Sequence, residues 1–146
     1  MSKTLLYGAT KVDDSNIAYA AVASLEQFQW KNRVLVILAD ADNEKGSRQE
    51  NLLLAERDGL SERDLVVLRV REGSVFAIFG AGENLDADSL RSDLDEQDAA
   101  HFAAILVGKD GSVKLRAIEP LPAEELFATI DSMPMRAAEA TRQHEQ

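Results

Sequence analysis

Two runs of consecutive apolar residues, 33–40 (RVLVILAD) and 64–70 (DLVVLRV), have the length and β-branched content of strands covered on both faces. The segment between them predicts a helix, because Ser47 and Glu50 match a capping box and Gly59 can end a helix in a left-handed conformation. Strands joined through a helix are expected to be parallel, with a right-handed crossover. The pattern therefore predicts one βαβ unit.

A second strand pair is predicted around the tight turn at 108–111 (GKDG). Residues 102–107 are almost entirely apolar, as in a strand covered on both faces. Residues 112–116 alternate between polar and apolar, as in an outer strand with one face in water. The two strands should be antiparallel. The short apolar piece at 75–79 is either a further strand or a packed loop.

Helical periodicity marks three more segments, at residues 15–28, 84–98 and 122–133. Asp14 or Ser15 can cap the first of them. Pro134 cannot donate a backbone hydrogen bond, so the last helix should stop or kink near Ser132, and a second helical piece would follow over 135–143. Strand, helix, strand, helix, antiparallel strand pair and helix is the element order of a thioredoxin-like α/β domain, with a central mixed sheet flanked by helices.

Composition is typical of one globular domain. The 146 residues are 45% hydrophobic and 29% charged, without an internal repeat or a linker-like stretch. We expect a single thioredoxin-like domain over 1–146. Its core spans about 25–139, an N-terminal extension with a helix occupies 1–24, and a frayed tail occupies 143–146.

The chain is acidic, with 16 Lys and Arg against 26 Asp and Glu and a formal net charge of −10. This charge repels nucleic-acid phosphates and anionic membrane surfaces, so we expect no nucleic-acid partner. The apolar run at 17–25 is too short to span a bilayer and lacks the flanks of a signal peptide. The sequence as written predicts a cytoplasmic protein, or a periplasmic or secreted one if a leader has been removed.

The absence of cysteine excludes disulfides, thiol peroxidase chemistry and Cys-x-x-Cys exchange. Cofactor motifs are incomplete: the dinucleotide fingerprint fails after Gly80 and Gly82, and Gly108-Lys109 lacks the rest of a phosphate-binding loop. His101 has no evident nucleophile to activate, which favours an ordinary histidine at a strand edge. We therefore predict no cofactor and no catalytic residue.

Two acidic loops, 40–44 and 84–88, contain oxygen ligands that suit a hard cation. In an EF-hand register Lys45 and Ser89 stand where glycine is needed. Helix caps and turn residues explain both loops better, so we predict no metal site.

Six basic side chains stand out in this acidic chain as a candidate site for an anion or a partner. Guanidinium groups bind carboxylate or phosphate, and a sheet end beside a helix N-terminus would add backbone donors. Salt bridges and solvated faces are the simpler alternative. The candidate residues are Arg33, Arg63, Lys109, Lys114, Arg116 and Arg136.

Four motifs contain most of these residues: 30–33 (WKNR), 63–64 (RD), 108–111 (GKDG) with Lys114 and Arg116, and 131–136 (DSMPMR). Together they resemble the bacterial DUDES-type domain family over about residues 25–139. The resemblance implies a thioredoxin-like fold, similarity to domains of animal extracellular sushi-repeat proteins, and no established reaction. Where thioredoxins have their cysteines and their cis-proline, this chain has residues 40–43 (DADN) and 101–103 (HFA).

The sequence therefore predicts a non-catalytic binding or interaction module whose partner is a protein or a small anion. An enzyme or anion-binding protein that uses the six basic residues is the alternative. A third possibility is self-association as a homodimer, through the exposed edge of the sheet and through residues 133–135 (MPM).

Overall fold

The computed structural model describes residues 5–6, 9–11, 21–96, 101–134, 136 and 138–139. Its strands are β1 (Leu5–Leu6), β2 (Ala9–Lys11), β3 (Arg33–Leu38), β4 (Leu65–Arg71), β5 (Ser74–Phe79), β6 (Ala103–Val107) and β7 (Val113–Ala117). Its helices are a 3-10 helix (Ala23–Phe28), α1 (Glu44–Leu54), α2 (Arg57–Glu62), α3 (Ala87–Asp93) and α4 (Ala123–Asp131). All the strands form one sheet, in the order β1-β2-β7-β6-β3-β4-β5.

β3 is the central strand of the sheet that the sequence predicts, with β6 on one side and β4 on the other. It pairs in parallel with β4 and antiparallel with β6, and β6 pairs antiparallel with β7 through the turn at 108–111. These pairings confirm the parallel strands of the predicted βαβ unit and the predicted strand pair. Every residue of β3 and β6 is buried, because both faces of these strands are covered.

Helices cover the two faces of the sheet and produce two apolar cores. On one face Leu53 of α1, Leu60 of α2 and Ile130 of α4 pack against the strands. On the other face Phe28 of the 3-10 helix and Leu90 of α3 do so. This arrangement is the α/β class that the element order predicts, a mixed sheet flanked by helices.

The helix after β3 begins closer to that strand than the sequence predicted. Asn43 is the N-cap of α1, and its side-chain oxygen accepts a hydrogen bond from the N–H of Lys45 at 2.9 Å. Ser47 and Glu50 lie inside α1, so the predicted capping box is wrong. Asn43 caps the helix first, directly after the strand, and no later cap is needed.

Gly59 does not end α1, and that prediction is also wrong. It lies inside α2, where a Cβ would be 2.7 Å from Cζ of Phe127 and closer still to Cε2. The left-handed residue that follows α2 is Asp64, with a φ of 51°. Glycine is needed at position 59 because the Phe127 ring lies against the backbone there.

The two uncertain strands have clear places in the sheet. β7 is not an outer strand, because β2 pairs antiparallel along its other side. Its alternation reflects the half-buried side chains of Lys114 and Arg116 rather than an unpaired edge. The apolar piece at 75–79 is strand and belongs to β5, which pairs antiparallel with β4 at the edge of the sheet.

The N-terminal and acidic helices are described only in part. Of the predicted helix over 15–28, residues 15–20 lie outside the described residues, and Ala23–Phe28 is a 3-10 helix. The predicted acidic helix over 84–98 is described as far as residue 96, and within that part Ala87–Asp93 is α-helix. The side chain of Asp86 caps this helix by accepting a hydrogen bond from the N–H of Ser89. The helix therefore begins later than the leucine pattern suggested.

The last helix agrees with its prediction. α4 has Pro122 as its N-cap residue and Ser132 as its C-cap, so it stops before Pro134 as predicted. Of the predicted second piece, residues 136, 138 and 139 have helical backbone. Met135 and the predicted frayed tail lie outside the described residues. None of the helices in the described part of the chain reaches the length and hydropathy that a bilayer crossing requires.

The close packing of α2 on α4 gives a direct test of the fold. Gly59→Ala should lower the free energy of unfolding by about 1–3 kcal/mol, because the new Cβ overlaps the Phe127 ring. Denaturant unfolding followed by circular dichroism measures this change.

The matched control is Gly73→Ala at the β4–β5 turn, where a Cβ meets no atom within 4 Å. Its effect should stay within about 0.5 kcal/mol. Combining Gly59→Ala with Phe127→Leu should reduce the cost of the added methyl group. Equal effects of the two alanine substitutions would contradict this packing.

Candidate functional site

Four of the six predicted basic residues meet at one end of the sheet. Arg33 begins β3, Arg63 precedes β4, Lys109 follows β6, and Arg136 lies after α4. Because β3 and β4 are parallel and β6 is antiparallel to β3, the first three positions share one sheet end. Four carboxylates lie among these cations. We call the group the base cluster: Arg33, Arg63, Lys109, Arg136, Glu62, Asp64, Asp131 and Glu139.

Arg33 is the most deeply buried cation of the base cluster, with a side chain that is 1% exposed. Its Nη1 and Nη2 donate to the two oxygens of Glu139, at 3.2 and 3.4 Å. Nη1 also donates to the backbone carbonyl of Arg63 at 3.0 Å. This fork fixes the Glu139 carboxylate against the start of the central strand.

Lys109 connects the β6–β7 turn to the same carboxylate. Its Nζ donates to Glu139 at 2.7 Å and to Asp64 at 2.8 Å, and its side chain is 10% exposed. The backbone carbonyl of Lys109 accepts a hydrogen bond from Trp30 N at 2.6 Å. The turn, the residue before β4 and the segment after α4 are thus held together by one ammonium group.

Arg63 and Arg136 share a second carboxylate, that of Asp131 at the end of α4. Arg63 donates to both oxygens of Asp131, at 3.0 and 2.8 Å, and its guanidinium lies 4.1 Å from the centre of the Phe127 ring. Arg136 donates to Asp131 at 3.3 Å and to the side chain of Glu62 at 3.1 Å. α4 and the segment after it are therefore attached to the end of α2 by ionic contacts.

The surrounding cations keep both central carboxylates ionised. Burial disfavours the charged form of Glu139, but the hydrogen bonds from Lys109 and Arg33 outweigh it and lower the pKa of Glu139. The hydrogen bonds from Arg63 lower the pKa of Asp131, against a smaller opposing effect of burial. Within the base cluster, four positive groups face four negative groups.

Lys114 and Arg116 pair with other carboxylates. Nζ of Lys114 lies 3.0 Å from Asp110 in the β6–β7 turn, and Nη1 of Arg116 lies 3.0 Å from Glu96 after α3. Burial disfavours ionisation of Asp110, but the hydrogen bonds from Ser112 and Lys114 lower its pKa overall. All six predicted site residues therefore contact a carboxylate of the same chain.

The opposite end of β3 holds the loop that corresponds to the cysteine position of thioredoxins. Asn43 caps α1, and a carboxylate oxygen of Asp40 accepts a hydrogen bond from the N–H of Glu72 at 3.3 Å. These oxygens serve the backbone as the cap interpretation predicts. Among the described residues, no group of three or more His, Asp and Glu side chains is placed to hold a metal ion.

Arg69 donates hydrogen bonds to the backbone of this loop, and it is not among the site residues predicted from the sequence. The residue is 2% exposed. Its Nε and Nη2 donate to the carbonyls of Ala39 and Asp40, both at 2.9 Å, and Nη1 contacts Glu50. The available signal was a lone arginine inside an apolar strand, since a buried cation needs acceptors on every side.

Arg69 also requires a glycine in α1. A Cβ on Gly46 would lie 2.5 Å from Nη2 of Arg69 and 2.9 Å from the Cβ of Ala39. Because the guanidinium is held by three acceptors, it has little freedom to move away. The first turn of α1 therefore passes directly over the arginine.

Comparison with known proteins identifies the family. The model of a domain of unknown function, DUF4174, matches residues 24–139. The chain belongs to the DUF4174 family. No curated protein sequence matches it significantly. The base cluster, from Arg33 to Glu139, lies within the matched residues.

One solved structure similar to this DUF4174 chain is the reduced 2-Cys peroxiredoxin of Plasmodium vivax. It is 19% identical, the match covers 83% of each chain, and the TM-score is 0.52. Identity at this level shows the fold alone, so the similarity confirms a thioredoxin-like α/β fold. Peroxidase chemistry does not follow, because this chain has no cysteine.

The buried ion pair at the start of β3 should contribute strongly to stability. Arg33→Met should lower the free energy of unfolding by about 3 kcal/mol, because it leaves Glu139 buried with one cation fewer. The control is Lys45→Met, which breaks the 2.7 Å pair with Glu119 where the side chains are 45% and 52% exposed. That pair should contribute at most about 0.5 kcal/mol, and similar losses in both variants would contradict the difference in burial.

Protonation of Glu139 should lower the free energy of unfolding at acid pH. A lowered pKa in the folded state gives stability that is complete above the ordinary carboxyl value, about 4.3, and lost as the pH falls through the folded value. The difference in unfolding free energy between the wild type and Glu139→Gln should therefore be largest near neutral pH and shrink below about pH 4.

Urea unfolding at a series of pH values measures this difference. Asp42→Asn is the control, since it removes an exposed carboxylate from the β3–α1 loop. Its effect should change less with pH. A Glu139→Gln difference that grows on acidification would contradict the proposed ionic role.

Proposed function

We propose that this chain is a non-catalytic interaction module built on a thioredoxin-like scaffold. The observation that supports this proposal is the pairing of all six predicted site cations with carboxylates of the same chain. A site that binds an anionic substrate needs cations that carboxylates of the protein do not already neutralise. In the base cluster the carboxylates already balance the positive charge. The ion pairs hold Asp131 and Glu139 against the end of the sheet.

The two ends of β3 support the same proposal. At one end the base cluster fastens α2, α4 and the β6–β7 turn together through Glu139 and Asp131. At the other end, in the loop where a thioredoxin would have its cysteines, Asn43 accepts a hydrogen bond from the N–H of Lys45 and Asp40 accepts one from the N–H of Glu72. Both ends therefore serve the fold, which leaves the outer surface of the domain for a protein partner.

Two finer expectations belong to this proposal. The resemblance to the bacterial DUDES-type domains, and through them to domains of animal extracellular sushi-repeat proteins, agrees with an interaction role. A cytoplasmic location, or a periplasmic or extracellular one after loss of a leader, stays an expectation of the sequence. Neither affects the physical basis of the module.

Small-anion binding, with or without catalysis, is the second candidate, and one observation favours it. Arg91 of α3 is 6% exposed, and neither Nη atom has a hydrogen-bond partner among the residues that the structure describes. An unpaired buried guanidinium costs several kcal/mol, which a bound carboxylate or phosphate would offset. The site would then lie beneath α3 rather than in the base cluster.

A thermal-shift screen of phosphates, carboxylates and divalent cations distinguishes the two candidates. The interaction module predicts no ligand-dependent rise in the unfolding temperature. A small ligand at about 100 times its Kd would add about 2.7 kcal/mol of stability, which the screen detects easily.

Three variants assign any ligand that is found. Stabilisation that vanishes in Arg136→Ala and Arg116→Ala would support an enzyme or anion-binding protein using the six predicted cations. Stabilisation that vanishes only in Arg91→Met would support the site beneath α3. Either result would overturn the interaction-module proposal in favour of small-anion binding. The interaction module predicts instead that Arg136→Ala lowers stability without changing any small-molecule affinity.

A further inference from the structure

β5 is an uncharged strand at the edge of the sheet. It is the last strand in the sheet order and pairs with β4. Its sequence, SVFAIF, contains no charged residue, no proline and no glycine. Soluble proteins normally protect an edge strand with charged side chains or proline, or keep it very short. The opposite edge of this sheet follows that rule, since β1 has only two residues.

The side chains of β5 reach the surface. Phe76 is 43% exposed, Ser74 and Ala77 are also exposed, and Val75 is half-buried. In the neighbouring strand β4, by contrast, six of the seven residues are buried. Among the residues that the structure describes, no strand pairs with β5 on its outer side as β4 does on its inner side.

The backbone of β5 is regular enough to accept another strand. From Ser74 to Ala77 it pairs residue by residue with β4. Ile78 is the extra residue between the pairs Leu68–Ala77 and Val67–Phe79, so the register shifts only there. The regular part of β5 therefore offers backbone N–H and C=O groups along its free edge.

We infer that β5 pairs antiparallel with β5 of a second copy of this chain, so that one sheet continues across a homodimer. This inference rests on the proposed function, because it names the surface and the partner of the interaction module. The twofold axis would pass near Phe76 and Ala77. The contact would be isologous, with the same residues on both sides, and it would close at two copies.

Charge favours a second copy meeting at this strand. Two chains of net charge −10 repel each other over most of their surfaces, so contact is least opposed where a strand has no charge. Arg71, the last residue of β4, pairs with Ser74 at the start of β5. Antiparallel order brings this start towards the end of β5 in the second copy, which is followed by the exposed Glu83. The Arg71 guanidinium lies 4.5 Å from the ring centre of Phe76.

The size of the contact makes the dimer concentration-dependent. A pair of six-residue strands buries well under the roughly 1,600 Å² of a standard interface. We therefore expect association at high micromolar concentration. Added salt should strengthen it, because screening weakens the repulsion between two acidic chains while the apolar contact persists. A basic partner held by charge would show the opposite salt dependence.

Sedimentation equilibrium over a range of protein and salt concentrations tests the inference. The wild type should form dimers, and Ala77→Lys and Ala77→Glu should each weaken dimerisation at least about tenfold by placing like charges near the twofold axis. An equimolar mixture of these two variants should recover a heterodimer, because the charges are then opposite. Circular dichroism checks that each variant is folded.

Ile118→Lys is the matched control, since Ile118 is 63% exposed and lies outside β5. It should dimerise like the wild type. Hydrogen exchange supplies a second measurement, in which the amides of β5 should become more protected as the protein concentration rises.

Three results would overturn the inference: a wild type that stays monomeric at millimolar concentration, equal effects of Ile118→Lys and Ala77→Lys, or a mixture that does not associate. A monomeric wild type would leave the interaction module in place, and the ligand screen tests that proposal separately.

Discussion

The rest of the structure depends on the burial of β3, which has a strand on each side and a layer of helices on each face. After Arg33, every side chain of β3 is apolar, as expected of a strand covered on both faces. Polar chemistry is therefore restricted to its two ends, near Arg33 and near Asp40. The base cluster occupies the first end, and Arg69 with the cap of α1 occupies the second. The central strand separates two polar networks that share no residue.

Charge in this chain is used mainly within the chain. The acidic residues outnumber the basic ones, yet the basic residues of the predicted site sit beside carboxylates from distant segments. The Glu139 carboxylate joins the start of β3 to the β6–β7 turn. Such pairs add specificity to the docking of α4 and its following segment, since an apolar contact would tolerate several positions and a fork of two hydrogen bonds tolerates one.

The sequence predicted the central elements well because their signals are local. Unbroken apolar runs identified β3, β4 and β6, and Pro122 and Pro134 bounded α4. The same local rules failed where a distant residue decides. Gly59 is needed for the ring of Phe127, and β7 is covered by β2, a strand from the other end of the chain. The six basic residues were found by their contrast with an acidic chain, but the carboxylates that pair with Arg33 and Arg63 lie 106 and 68 residues away in sequence. Arg69 escaped notice because a single arginine in an apolar strand gives no indication of what it contacts, and Arg91 because an arginine in an acidic helix is expected to be solvated.

The close approach of Arg69 to Gly46 ties two distant positions together. Any side chain at position 46 would occupy the space of the guanidinium, and any shorter residue at position 69 would leave the carbonyls of Ala39 and Asp40 without their donors. The two positions can therefore change only as a pair.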